Sequence, residues 1–191
     1  MNTSFLFLAD GFEEIEALSV IDIMRRADMK VVTVSISDCT LVAGAHGIPV
    51  EADSVFADTD FSAAEWLILP GGMPGATNLA AKAELCDLLK AQNSKGGKIA
   101  AICASPAVVL APLGILDGKQ ATCYPGFEKA LGNSKLSEKP VAVAGNVITA
   151  NGPAAATAFG LAIVAKSKGE DASRTVAEGM LLYSTPQPFF F

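Results

Sequence analysis

Histidine is almost missing from this chain: 191 residues contain one, His46. A mechanism that needs an imidazole must therefore use His46, and a zinc site with two histidine ligands is excluded. Cysteine is scarce as well. Cys39, Cys86, Cys103 and Cys123 are widely spaced and form no C-x-x-C pair, which argues against a disulfide framework or a thiolate zinc centre. No cluster of Lys and Arg occurs, the formal net charge is −6 and the pI is about 4.8. Neither nucleic acid nor an anionic membrane surface suits such a molecule as a partner. No segment approaches the ~20 apolar residues that cross a bilayer. The first apolar stretch, SFLFLA, has no basic flank and stops at Asp10, so no secretory leader is read there. The expected location is the cytoplasm, with the thiols reduced.

What the chain does have is apolar residues: they make up 51%, against 18% charged, and the mean hydropathy is +0.40. That balance suits a sheet buried on both faces. Strand-like runs alternate with helix-like ones. SFLFLA (4–9), KVVTVSIS (30–37), WLILP (66–70), KIAAI (98–102), ATCY (121–124), VAVAG (141–145) and NVITA (146–150) read as strands. Residues 13–27, 77–95, 106–113, 153–169 and 172–183 read as helices, and 41–55 as a hairpin or irregular excursion around Gly44 and Gly47. Nearly unbroken apolar strands interleaved with helices predict a doubly wound, mostly parallel α/β sheet covered on both faces, with residues 1–191 in one domain. Ala154, Ala158, Leu161, Ala162 and Ala165 offer a small-residue face for packing the helix 153–169 on that sheet. The tail TPQPFFF is expected to dock on its own domain or on a partner subunit.

Nucleotide motifs fail. GGMPG does not fit G-x-G-x-x-G, and the pairs Gly97-Lys98 and Gly118-Lys119 lack the Ser or Thr of a P-loop. No cofactor and no metal is therefore expected, and a flavin or other phosphate ligand at the strand ends rests on fold analogy alone.

Three stretches bring chemistry to the carboxyl edge of the sheet, where ligands of such folds gather. Cys103 lies on the turn between the strand 98–102 and Ser105-Pro106, a helix-opening pair. A helix N-terminus lowers a thiol's pKa and favours the nucleophilic thiolate. Buried free cysteines are also commonly inert, so placement alone leaves both readings open. Glu16 falls on the apolar arc of its helix with Ala17, Val20, Ile21, Ile23, Met24 and Ala27. A carboxyl there is costly unless paired or protonated, and desolvation makes it a proton carrier near neutrality; a purely structural hydrogen bond is the alternative. Glu13 and Glu14 are explained more simply, as favourable charges in a first helical turn. Gly71-Gly72, following a buried strand, can turn backbone N–H groups toward an anion. Together these make a nucleophile, a proton carrier and an anion stabiliser.

LADGFEEIEALSVIDIMRRA (8–27), LILPGGMPGATNL (67–79), IAAICASPAVVLA (99–111), ATCYPGFE (121–128) and ITANGPAAATAFGLAIV (148–164) resemble the ThiJ/PfpI superfamily (intracellular protease I and relatives) nearly end to end. Within it they are most similar to the parkinsonism-associated deglycase branch and its bacterial thiazole-biosynthesis-named relatives. The resemblance implies a flavodoxin-like fold and a homodimer with the site near the interface. Cys103 matches the family's reactive cysteine, Glu16 the glutamate bonded to its sulfur, and Gly72 and Ala104 the oxyanion amides. Gly152 and Pro153 match a turn flanking the pocket. The protease- and chaperone-like branches place a histidine where Ala104 stands, and deglycase-type members usually place one where Tyr124 stands. His46 falls where close relatives often carry an arginine. Peptidase activity is therefore not expected. The leading expectation is cofactor-free conversion of small reactive aldehydes, of glyoxalase III or deglycase type, by Cys103 and Glu16, with Tyr124 offering a hydroxyl. The alternatives are an oxidative-stress sensor acting through Cys103 oxidation, and a histidine-less, non-proteolytic amidase relative with a ligand-binding role.

Overall fold

The computed structural model describes residues 3–182. Its frame is set by two-residue alternation along β1 (Thr3–Leu8): Leu6 and Leu8 face one side, Phe5 and Phe7 the other, and all four are buried. Each side takes its own helices. On the Leu6 side pack α1 (Glu14–Arg26), α4 (Ala156–Lys168) and α5 (Glu170–Gly179), through Val20, Ile23, Met24, Phe159, Ile163 and Val176. On the Phe5 side pack α2 (Gly75–Ala81) and α3 (Ala83–Ser94), through Leu79, Leu85 and Leu89.

The remaining strands are β2 (Val31–Ser35), β3 (Leu41–Ala43), β4 (Pro49–Glu51), β5 (Ser54–Val55), β6 (Ala64–Leu69), β7 (Lys98–Ile102), β8 (Gln120–Ala121), β9 (Lys135–Leu136), β10 (Val141–Ala144) and β11 (Val147–Ala150). Seven form the main sheet in the order β10-β11-β7-β6-β1-β2-β5, parallel except for the β10–β11 pair. From β1 the chain runs outward to β2, then returns to the other side of β1 as β6. The winding reverses between β1 and β6, the place where open α/β sheets leave a crevice.

Several elements depart from the sequence reading. The helix expected over 77–95 is two, broken at Lys82, whose backbone is extended. Leu79 and Leu85 are six residues apart, about 240° out of phase on an unbroken helix, and the break lets both face the sheet. The helix expected over 106–113 is a single wide turn, Pro106–Leu110, closed by Ala111 N–H donating to Pro106 O. Pro112 cannot donate the next bond, so it stops there. The strand expected at 121–124 shrinks to β8. The buried face of α4 is Ala156, Phe159, Gly160, Ile163 and Val164 rather than the alanine stripe, with Gly160 against Ile23 of α1. The excursion at 41–55 is the antiparallel β3–β4 hairpin, followed by β5. The tail TPQPFFF lies outside the described residues.

Candidate functional site

Cys103 ends β7 with φ of +65°, in the left-handed region that non-glycine residues rarely occupy. A conformation costing roughly 1–3 kcal/mol persists only where its surroundings fix it. Here the Cys103 N–H donates to Ala150 O at 2.8 Å, and its carbonyl accepts the Tyr124 N–H at 2.8 Å. The sulfur-bearing residue is 8% exposed, set on a sharp elbow.

Glu16 reaches it from α1. The wheel reading holds, since Glu16 is fully buried while Ile15 and Leu18 beside it are exposed. Its Oε2 accepts the Gly71 N–H at 2.8 Å. Oε1 is buried without a hydrogen bond of standard geometry, and the Cys103 thiol is the hydrogen-bonding side chain that the carboxyl faces. Gly71 has to be glycine because of this approach: a methyl group there would lie 2.5 Å from Cys103 Cβ and 2.7 Å from Glu16 Oε2. The backbone N–H groups of Gly72 and Ala104 pull the thiol's pKa down against the burial. The elements thus bring Cys103, Glu16, Gly71, Gly72 and Ala104 to one point at the winding reversal.

The electrostatics correct one expectation. Burial pushes the Glu16 carboxyl up to about 7, against the lowering pull of the thiol and the Gly71 N–H. Burial also pushes the Cys103 thiol up to about 12, helped by the Glu16 charge and opposed by the Gly72 and Ala104 amides. The helical turn that opens at Ser105 pulls the thiol down only through the Ala104 amide, and burial and the Glu16 charge outweigh that pull. The pair instead sheds one proton near neutrality and keeps a second that the two groups divide.

The outer residues sit as follows. Tyr124 is 45% exposed, and its ring covers the Cα of Gly152, whose turn leads into a 3-10 segment at Pro153–Ala155. His46 does not reach the sulfur. Its Nδ1 lies 2.8 Å from Glu14 Oε2, and its N–H donates to Glu14 Oε1 at 2.7 Å. Glu14 is buried, so it is more than a first-turn charge: it anchors the β3–β4 hairpin. Glu13 is buried too and caps α1, its Oε2 accepting the Glu16 N–H at 2.7 Å. Glu13, Glu14 and His46 offer ligand atoms within 4.8 Å of one another, but the carboxylates of Glu13 and Glu14 already hold N–H donors. Ser105 also escaped the sequence reading. Fully buried, it donates to Pro70 O at 2.5 Å; in the sequence it reads only as half of a helix-opening pair with Pro106.

Comparison with known proteins fits this geometry. DJ-1 homolog B of Arabidopsis thaliana is 35% identical over 92% of this chain, which spans only 40% of that protein's length. A Caenorhabditis elegans protein named glutathione-independent glyoxalase DJR-1.2 is 32% identical, covering 89% of this chain and 90% of its own. The structure of oxidized Toxoplasma gondii DJ-1 superposes with a TM-score of 0.92 at 35% identity, covering 97% of this chain and all of that one. The pattern of the DJ-1/PfpI family matches residues 3–166, so the elbow, the buried glutamate and the glycine pair all fall inside the match, and the chain belongs to the DJ-1/PfpI family.

Proposed function

We propose that this protein converts small 2-oxoaldehydes to hydroxy acids without a cofactor, as a glyoxalase of the glutathione-independent kind. The observation that carries this reading is the buried Glu16 carboxyl and the Cys103 thiol meeting at Gly71, whose N–H the carboxyl accepts. The name of the Caenorhabditis elegans relative supports it. With the thiol pushed up to about 12 and the carboxyl up to about 7, Glu16 is the base and Cys103 the masked nucleophile. As sulfur attacks the aldehyde carbon, the carboxylate takes the thiol proton and the Gly72 and Ala104 N–H groups receive the developing oxyanion. Return of the proton gives a hemithioacetal. Glu16 then removes the hydrogen on that carbon and delivers a proton to the neighbouring one, leaving a 2-hydroxy thioester. Water cleaves the thioester to the hydroxy acid and restores the thiol. The net reaction adds one water to the oxoaldehyde.

Methylglyoxal consumption without glutathione tests it. Glu16→Gln and Cys103→Ala are each expected to lower kcat/KM at least about a hundredfold, the scale of a lost acid–base group. Turnover retained in Glu16→Gln, or none in the unmodified protein, rejects the reading. A second reading is favoured by the same pair and by the existence of an oxidized relative: Cys103 oxidised by peroxide to a sulfinate held by protonated Glu16. Two-oxygen addition confined to Cys103 on mild peroxide, with no aldehyde turnover, would select it. A cytoplasmic homodimer completes the proposal.

A further inference from the structure

Ser105 and Glu16 do not touch, yet one peptide group joins them. The carbonyl of Pro70 accepts the Ser105 hydroxyl at 2.5 Å, and the N–H of the same peptide, that of Gly71, donates to Glu16 Oε2 at 2.8 Å. A carbonyl that accepts a hydrogen bond polarises its peptide and makes the N–H a stronger donor. The chain of bonds therefore runs from the Ser105 hydroxyl through a single amide to the carboxylate. Ser105 also follows Cys103 and Ala104 at the end of β7, so the same hydroxyl ties the end of β7 to the end of β6. The Glu13 N–H donates to Gly71 O at 3.0 Å and holds the next peptide in place.

We propose that Ser105 is a positioning residue of this site, which through the Pro70–Gly71 peptide fixes and strengthens the donor facing Glu16 and so sets how the proton is divided between Glu16 and Cys103. Ser105 is fully buried and touches no substrate atom in this role. It acts on the carboxylate form: a stronger Gly71 donor favours ionised Glu16, the state in which the carboxylate can take the thiol proton. The inference rests on reading Glu16 and Cys103 as a proton-sharing pair, but its readouts need no aldehyde. Absence of aldehyde turnover would reject the glyoxalase reading and leave this one standing or falling by itself.

The test is the pH dependence of Cys103 alkylation by iodoacetamide, with the other cysteines followed separately by mass spectrometry. The unmodified protein is expected to show a step near 7. Ser105→Ala should move that step up by about half a unit, an order-of-magnitude expectation for losing one polarising bond. Ser105→Thr, which keeps the hydroxyl, should return it. In a Glu16→Gln background the step should be absent, and Ser105→Ala should no longer shift the profile. A folded Ser105→Ala whose step stays put overturns the proposal, as does an equal shift in the Glu16→Gln background, since a structural role predicts only a lower Tm. If Ser105→Ala does not fold, the unmodified protein decides by NMR. The Gly71 amide and the Ser105 hydroxyl protons must titrate with a shared midpoint; a Ser105 hydroxyl silent through that range rejects the coupling.

Discussion

Gly71 is the point where sulfur, carboxylate and backbone come closest, and a single methyl group is enough to test that. In Gly71→Ala the new carbon would meet Cys103 Cβ at 2.5 Å and Glu16 Oε2 at 2.7 Å, so the elbow and the α1 side chain must part. Overpacking of this kind costs about 1–3 kcal/mol. A lower denaturation midpoint together with loss of the Cys103 alkylation step near 7 is expected; a fully stable variant with unchanged reactivity would mean the three groups are not in contact. Glu16 has its own stability signature. Its folded value is raised from 4.5 to about 7 by burial, so the fold prefers the protonated carboxyl. That contribution is complete below 4.5 and is lost as pH rises through about 7. Across this window the wild type should lose up to about 3 kcal/mol relative to Glu16→Gln, at about 1.4 kcal/mol per unit, as read by urea denaturation at both ends. At this scale the sequence was informative where a residue broke a pattern. Glu16 interrupts an apolar arc and Cys103 ends an apolar strand, so both stood out. Ser105 did not, because a small hydroxyl before a proline is equally suited to opening a helix. The thiol's upward shift was illegible too: it depends on the charge of a residue far away in the chain and on how deeply both are buried.

The β3–β4 hairpin shows the same limit for an element. Its residues, with Gly44 and Gly47 at the turn, signal a hairpin excursion, and a hairpin is what forms. Where it hangs depends on Glu14, which the sequence offers only as a first-turn charge. Burial pushes the Glu14 carboxyl up, but the His46 ring and the His46 and Ile48 N–H groups outweigh it and hold it below its ordinary value. The same ion pair raises His46, with Glu13 adding to the pull and hydration loss opposing it. The two windows follow in opposite senses. The Glu14 contribution is present above its ordinary 4.5 and is lost as pH falls through the lowered folded value. The His46 contribution is present below its ordinary 6.5 and is lost as pH rises through the raised folded value. Amide exchange in residues 41–51 should therefore accelerate on the alkaline side of 6.5, beyond the intrinsic rise with pH, while β1 and β7 stay protected. His46→Ala should exchange fast already at pH 6. Equal protection of the hairpin in His46→Ala would show that the backbone donors alone hold it. The split of α2 from α3 belongs at this scale as well: Leu79 and Leu85 are both strongly apolar, and only the requirement that both reach one sheet reveals the break at Lys82.

Across the whole molecule, the sheet order places β1, β6 and β7 side by side, so that the helix after β1 and the turns after β6 and β7 deliver Glu16, Gly71 and Cys103 to one edge. Alternating apolar runs are enough to foresee such a sheet, since both faces must be covered. They say nothing of a surface that is apolar and left open. That surface exists on the outer side of α1: Ile15 is 56% and Leu18 41% exposed, three residues apart on one face, and Ile48, 54% exposed, lies on the hairpin that Glu14 holds. Large aliphatic side chains left exposed on one helix face mark a contact surface, and the family resemblance identifies the expected occupant as a second copy of the chain. On a two-fold axis each Leu18 would meet the partner's equivalent patch, so one substitution strikes the interface twice. Leu18→Glu points away from the core and should leave the monomer's fold intact, with Tm measured at the lowest workable concentration unchanged. Sedimentation of the unmodified protein should give about twice the chain mass of 19.6 kDa at micromolar concentration. Leu18→Glu should sediment as the single chain, its dissociation constant raised at least about a hundredfold, or roughly 2.7 kcal/mol. An unmodified protein that sediments as one chain, or a Leu18→Glu variant that remains paired, would remove α1 from the interface and leave the exposed leucine and isoleucine for a different partner to cover.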